Sequence, residues 1–82
     1  MFDLKDWKSR NPLKQWRAEN GITQTDAAAM IGVGVQAVQR WESGASMPSA
    51  GCLGEIAAIM GAEPDELSVE WSEWRGERKK GL

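Results

Sequence analysis

Histidine is absent from these 82 residues, and cysteine occurs once, at Cys52. Together these scarcities remove the usual zinc ligand sets and exclude an internal disulfide. A reducing compartment fits, and a cytoplasmic location is the expectation. Also missing is any apolar run near the roughly 20 residues that a membrane span needs. The opening MFDLKDWKSR is too charged for the apolar region of a signal peptide. There is no phosphate-binding Gly-Lys-Thr/Ser motif and no nucleophile–base pair. GVGV at 32–35 is half of a dinucleotide fingerprint, and it joins two helical patterns instead of a strand and a helix. Glu63, Asp65, Glu66 and Glu70 lack calcium-loop spacing and read as charge at a helix N-terminus. The expectation is a protein that is no enzyme and holds no metal or cofactor.

What remains is one small domain with no room for a second core. A chain of this size buries only about 60% of its unfolded surface. Helix packing or dimerisation commonly supplies the missing stability. The net charge of −2 argues mildly against nucleic acid as a partner, but the charge is segregated. Residues 1–44 carry a net +1, residues 45–74 a net −6 without a single base, and residues 75–82 a net +3. Such a chain still has a neutral-to-basic side to offer to DNA.

Punctuation along the chain predicts helices throughout, with no strand-like alternation and no internal repeat. Residues 1–10 form an arm or a short helix, and no partner is assignable to Trp7. Asn11-Pro12 starts a helix running to about Asn20, with Leu13 and Trp16 inward and Gly21 at its end. Thr23 and Asp26 form a capping box for a second helix to Ile31, which buries Ala27, Ala28 and Ile31. Gly32 supplies a turn with positive φ. The next helix spans about Gly34 to Ser43: Val38 and Trp41 point inward, while Val35, Gln36, Gln39 and Arg40 share the outward arc. Ser49 caps a helix whose Leu53, Ile56, Ala57 and Met60 make an amphipathic stripe ended by Gly61. Pro64 opens a last helix in which Leu67, Trp71 and Trp74 repeat at i, i+4 and i+7. Residues 75–82 read as a basic, mobile tail after a domain spanning 11–74.

The ordered series LKQWRAENGITQ, AAAMIGV, VQRWESG and MPSAGCLGEIAAIMGAEPDEL resembles the lambda-repressor-like helix-turn-helix family. That family includes the phage Cro and CI repressors and many small bacterial regulators. The resemblance covers roughly Leu13 to Leu67 and implies an all-α, five-helix bundle whose Val35-containing helix is the recognition helix. It implies that Val35, Gln36 and Arg40 read bases, with Gln39 at the side. Thr23, Gln24, Ser43 and Ser46 then fall to phosphate contact and positioning, and Gln24 also braces the recognition helix. Arg17 and Glu42 match the family's structural ion pair. Side-chain chemistry agrees independently: a glutamine amide suits adenine, arginine suits guanine, and valine suits a thymine methyl.

The chain departs from the family pattern at Gly34, in the Ala45–Met47 loop, and at Trp16 and Ala27. Gly34 replaces the usual Ser or Thr, which removes a cap. The Ala45–Met47 loop lacks the common Lys or Arg, leaving backbone N–H groups and Ser46 to meet phosphates and lowering the expected salt slope. Lys5, Lys8, Arg10 and Lys14 compensate if the N-terminal segment lies along the DNA backbone. Trp16 and Ala27 stand where Leu is common at both positions, a large-for-small exchange that conserves volume if the two meet.

Taken without the family series, the polar arc is more often a solvated helix face. The five tryptophans suggest base stacking, but Trp16 and Trp41 fall on inward positions and read as core. Met30 and Met47 read as exposed apolar residues, and Cys52 as a small residue at the core edge. The function expected is a repressor-type transcriptional regulator binding a palindromic double-stranded operator as a homodimer. Leu67, Val69, Trp71 and Trp74 are the candidate dimer surface. The alternative is a protein-interaction module on the same fold, such as an antitoxin, favoured by the acidic 45–74 segment.

Overall fold

A computed structural model describes residues 2–81; Met1 and Leu82 lie outside it, as does the side chain of Lys80. It is all-α among the described residues. The helices are α1 (Leu4–Ser9), α2 (Pro12–Asn20), α3 (Gln24–Ile31), α4 (Val35–Ser43), α5 (Ala50–Met60) and α6 (Pro64–Gly81). Five were expected, and the sixth is the N-terminal segment. Asp3 caps α1 by accepting from the amides of Lys5 and Asp6.

The caps form largely as the sequence implies. Asn11 accepts from the Lys14 amide at 2.9 Å, Thr23 from Asp26 at 3.1 Å and Ser49 from Cys52 at 3.3 Å. Asn11 does more than cap. It is fully buried, and its Nδ2 donates to the Trp41 carbonyl at 3.3 Å, tying the start of α2 to the last turn of α4. Gly34 gives α4 no side-chain cap, as its missing hydroxyl requires. Gly32 closes α3 at φ +88°, the left-handed region expected for the turn.

One core joins all six helices: Trp7 from α1, Leu13 from α2, Ala28 and Ile31 from α3, and Val38 and Trp41 from α4. To these α5 adds Leu53, Ile56 and Ala57, and α6 adds Leu67, Trp71 and Trp74. Trp16 is half-buried and lines a narrow apolar crevice together with Ala27, Leu13 and Ile56, so the large and the small residue do share one space. Met30 is exposed as expected, whereas Met47 is half-buried and packs on the core.

Two expectations at the ends of the chain require correction. Residues 75–81 are no separate tail, because α6 runs unbroken through Gly81. Trp7 has a partner after all, and it is Trp74. The two indoles stack with centroids 4.3 Å apart and planes 2° from parallel. Each ring nitrogen donates to the other residue's carbonyl, at 2.6 Å from Trp7 and 2.7 Å from Trp74. This reciprocal clamp removes most of the proposed dimer surface. Leu67, Trp71 and Trp74 are 2%, 0% and 3% exposed within the protomer, covered by its own helices, and only Val69 is exposed. Their apolar stripe is a core face.

Candidate nucleic-acid interface

The α3–turn–α4 unit is held from behind by a buried polar network. Arg17 Nε donates to Glu42 Oε2 at 2.7 Å, and Nη2 donates to Oε1 at 2.6 Å. Its Nη1 donates to the Ile22 carbonyl at 3.0 Å, so the fork ties α2 both to α4 and to the segment before α3. The Glu42 side chain is 4% exposed and that of Arg17 13%. Such a planar bidentate pair fixes orientation as well as distance. Hydrogen bonding to Glu42 holds the Arg17 guanidinium above its ordinary pKa, so it stays charged.

Gln24 Nε2 donates to Glu42 Oε1 at 3.1 Å. A carboxylate only accepts, so the amide nitrogen faces it, and its second N–H remains for another acceptor. Gln24 is thus tied to a side chain of α4. With Trp41 and Val38 buried on one side, α4 turns its polar arc outward.

On that arc Gln36, Gln39 and Arg40 are exposed, and none of the three side chains makes a hydrogen bond among the described residues. Val35 differs from the expectation: it is half-buried against the core and sits at the edge of the arc. Its first-turn position in α4 leaves only part of its surface for contact.

The positioning residues separate into free and engaged. The Thr23 hydroxyl oxygen caps α3, leaving its O–H free to donate. The Ser43 hydroxyl donates to the Arg40 carbonyl at 3.1 Å and accepts from the Ala45 amide, so it closes α4 and its proton is spent. The loop amides expected to meet phosphates are also occupied. Ala45 and Ser46 both donate to the Arg40 carbonyl, at 3.0 and 3.3 Å, and Gly44 donates to Trp41 at 3.4 Å. Of that loop's donors, the Ser46 hydroxyl and the Met47 amide remain for contact.

Cations lie nearby. Lys8 and Lys14 line one shallow groove with Gln24, Gln39, Glu42 and Ser43, bringing α1 and α2 ammonium groups beside the polar arc. Arg10, also expected to help, is bound instead by Asp6 and Glu77, the latter through Nη1 at 2.9 Å. The acidic residues Asp65, Glu66, Glu70 and Glu73 surround Val69 in a separate patch on α6. No helix is long and apolar enough to cross a membrane, and no group of potential metal ligands occurs among the described residues.

Comparison with known proteins adds one finding. A family model described as helix-turn-helix matches residues 13–67, from the buried Leu13 of α2 to Leu67 of α6. No curated protein and no solved structure matches the chain. The match encloses the Arg17–Glu42–Gln24 network and the whole outward arc of α4. The chain belongs to the Cro/CI-like helix-turn-helix family of DNA-binding regulators.

Proposed function

We propose that this regulator is a repressor of the phage or prophage type that occupies a palindromic operator as a pair of copies. The carrying observation is an exposed, unbonded Gln36–Gln39–Arg40 arc on a helix that buried polar bonds hold rigid. A polar arc that only faced solvent would not need such bracing. In this reading Arg40 takes a guanine through O6 and N7, and Gln36 an adenine through N6 and N7. Gln39 lies at the side, and Val35 meets a thymine methyl with its exposed edge. Gln24 spends its free N–H on a phosphate, and Thr23 and Ser46 offer hydroxyls.

Pairing is set by the operator. Among the described residues the large apolar side chains left exposed are Leu4, Met30 and Val69, which lie on three different helices. The acids around Val69 would face their own copies across a two-fold axis, which disfavours that patch as an interface. Two recognition helices then enter successive major grooves about 34 Å apart.

Selection from random duplex DNA at two salt concentrations, with particle size followed by light scattering, tests this reading. The expected product is an enriched motif with inverted symmetry, bound by two copies. A protein that enriches no sequence, or that copurifies with a partner covering α4, would point to the interaction-module alternative.

A further inference from the structure

The loop after α4 has no cation of its own and has spent the amides of Gly44, Ala45 and Ser46, yet a cluster of cations lies against it. Arg75, Arg78 and Lys79, from the last turns of α6, line a crevice with Trp7, Gly44, Met47 and Ser72. Two of the three are held in place without a counter-charge. Arg75 Nε donates to the Gly44 carbonyl at 3.3 Å, leaving its terminal nitrogens unspent. The Arg78 guanidinium carbon lies 5.5 Å from the centroid of the Trp7 ring. A guanidinium over a ring is fixed by the ring's charge distribution while its N–H donors stay free at the edge. None of the three forms an ion pair among the described residues; the pairs there are Arg10 with Asp6 and with Glu77, and Arg17 with Glu42.

Place gives the cluster its meaning. A nine-residue helix such as α4 is about 13 Å long, against a major groove about 12 Å wide. When its N-terminal part addresses base edges, its C-terminal end comes out over a phosphate backbone. Gly44 marks that end, and Arg75 touches it. The crevice also adjoins the Lys8–Lys14 groove, through the neighbouring pairs Trp7–Lys8 and Ser43–Gly44. Five cations thus flank one end of α4, and among the described residues the only carboxylate lining either recess is Glu42, already bound to Arg17.

We propose that Arg75, Arg78 and Lys79 form a phosphate clamp on the DNA backbone beside the Gly44–Met47 loop, supplying the cations that this loop lacks. The proposal rests on the operator-binding reading and deepens it. Arg75 and Arg78 act as pre-positioned forks for phosphate oxygens, and Lys79 as a point charge. Because backbone phosphates carry no sequence information, the clamp contributes affinity and register but no base preference.

The test uses the full chain carrying Arg75→Gln, Arg78→Gln and Lys79→Gln, with folding verified by circular dichroism. Binding to the selected operator duplex and to a scrambled duplex is measured from 50 to 200 mM salt. Three lost phosphate contacts in each copy should lower the slope of log K against log salt by about 2.7 per bound copy, about 5.4 for the pair on an operator. Across that fourfold salt range, wild type should then lose about 40-fold more affinity than the variant per bound copy. The operator-to-scrambled ratio should not change. An Arg75→Lys, Arg78→Lys protein should retain the slope, because the charges remain. If the triple variant unfolds, the exposed Lys79→Glu alone should still lower the slope by about one unit or more. An unchanged slope in folded variants overturns the clamp. A wild-type protein that selects no operator, yet loses slope in the triple variant, overturns the operator reading while supporting the clamp as a backbone contact.

Discussion

Replacing either member of the Trp7–Trp74 clamp with Phe isolates what α1 contributes to the fold. Trp7→Phe removes the Nε1 donor to the Trp74 carbonyl, and Trp74→Phe removes the donor to the Trp7 carbonyl. The Trp7 carbonyl also accepts from the Arg10 amide, so its desolvation is only partly uncompensated. The loss is therefore nearer to one net hydrogen bond, about 1 kcal/mol. The smaller ring leaves a void at a site 0% exposed for Trp7 and 3% for Trp74, adding about 1–2 kcal/mol. Each single variant should lose about 2–3 kcal/mol, which in a domain of this size lowers Tm by about 10–20 °C. The stack, worth about 0.5–1.5 kcal/mol, is weakened in both single variants and can be lost only once. The double variant should thus be destabilised by about 1 kcal/mol less than the sum of the singles. Urea unfolding followed by circular dichroism measures this, with an unchanged m value showing that the unfolded state is comparable. Single variants within about 0.5 kcal/mol of wild type, as at ordinary surface positions, or strictly additive losses, would refute the clamp.

Three further outcomes follow from the same geometry. A Cβ on Gly44 would lie 2.7 Å from the Trp7 ring at φ +82°, whereas one on Gly32, at φ +88°, meets nothing within 4 Å. Gly44→Ala should therefore cost about 2–4 kcal/mol against about 1–2 for Gly32→Ala, and equal thermal shifts would contradict the close approach. Arg17→Met strands the buried Glu42 and should cost about 3–5 kcal/mol, while adding Glu42→Met should recover most of it; a double variant as unstable as the single would mean that the charges are not the cause. Asn11→Ala loses both a helix cap and the bond to the Trp41 carbonyl, and chemical denaturation should show a loss of about 2 kcal/mol, with a change below 0.5 kcal/mol counting against the double role.

Local signals made α2 to α5 legible, because caps and glycines act within one helical turn. Asn11-Pro12, Thr23 and Ser49 start helices where the sequence says they do, and Gly32 and Gly44 end them with positive φ. The Arg17–Glu42 pair, 25 residues apart, came from the family pattern and not from spacing. What stayed hidden depends on contacts across the whole chain. Trp7 and Trp74 are 67 residues apart, and no periodicity links them. The Leu67–Trp71–Trp74 stripe announces an apolar face without saying what covers it. That cover comes from within the protomer, including α1, and a dimer surface was the wrong occupant. The last turns of α6 carry no apolar stripe to signal a helix, so Arg75, Arg78 and Lys79 read as a tail and their place beside Gly44 went unseen. Of the site, the arc residues Gln36, Gln39 and Arg40 were legible from helical spacing. The engagement of Ser43 and of the Ala45 and Ser46 amides was not, because it depends on how α4 ends.

Base reading by the outward face of α4 rests chiefly on Arg40. The most direct measurement compares wild type and Arg40→Ala on the selected operator and on duplexes altered one base pair at a time. Because Arg40 is exposed and its side chain makes no hydrogen bond among the described residues, the substitution should leave the fold intact. The variant should lose about 1–3 kcal/mol of discrimination at one guanine in each half-site and keep its preferences elsewhere. An Arg40→Ala protein that retains the full base preference of wild type, or that weakens equally on every duplex, would contradict the account.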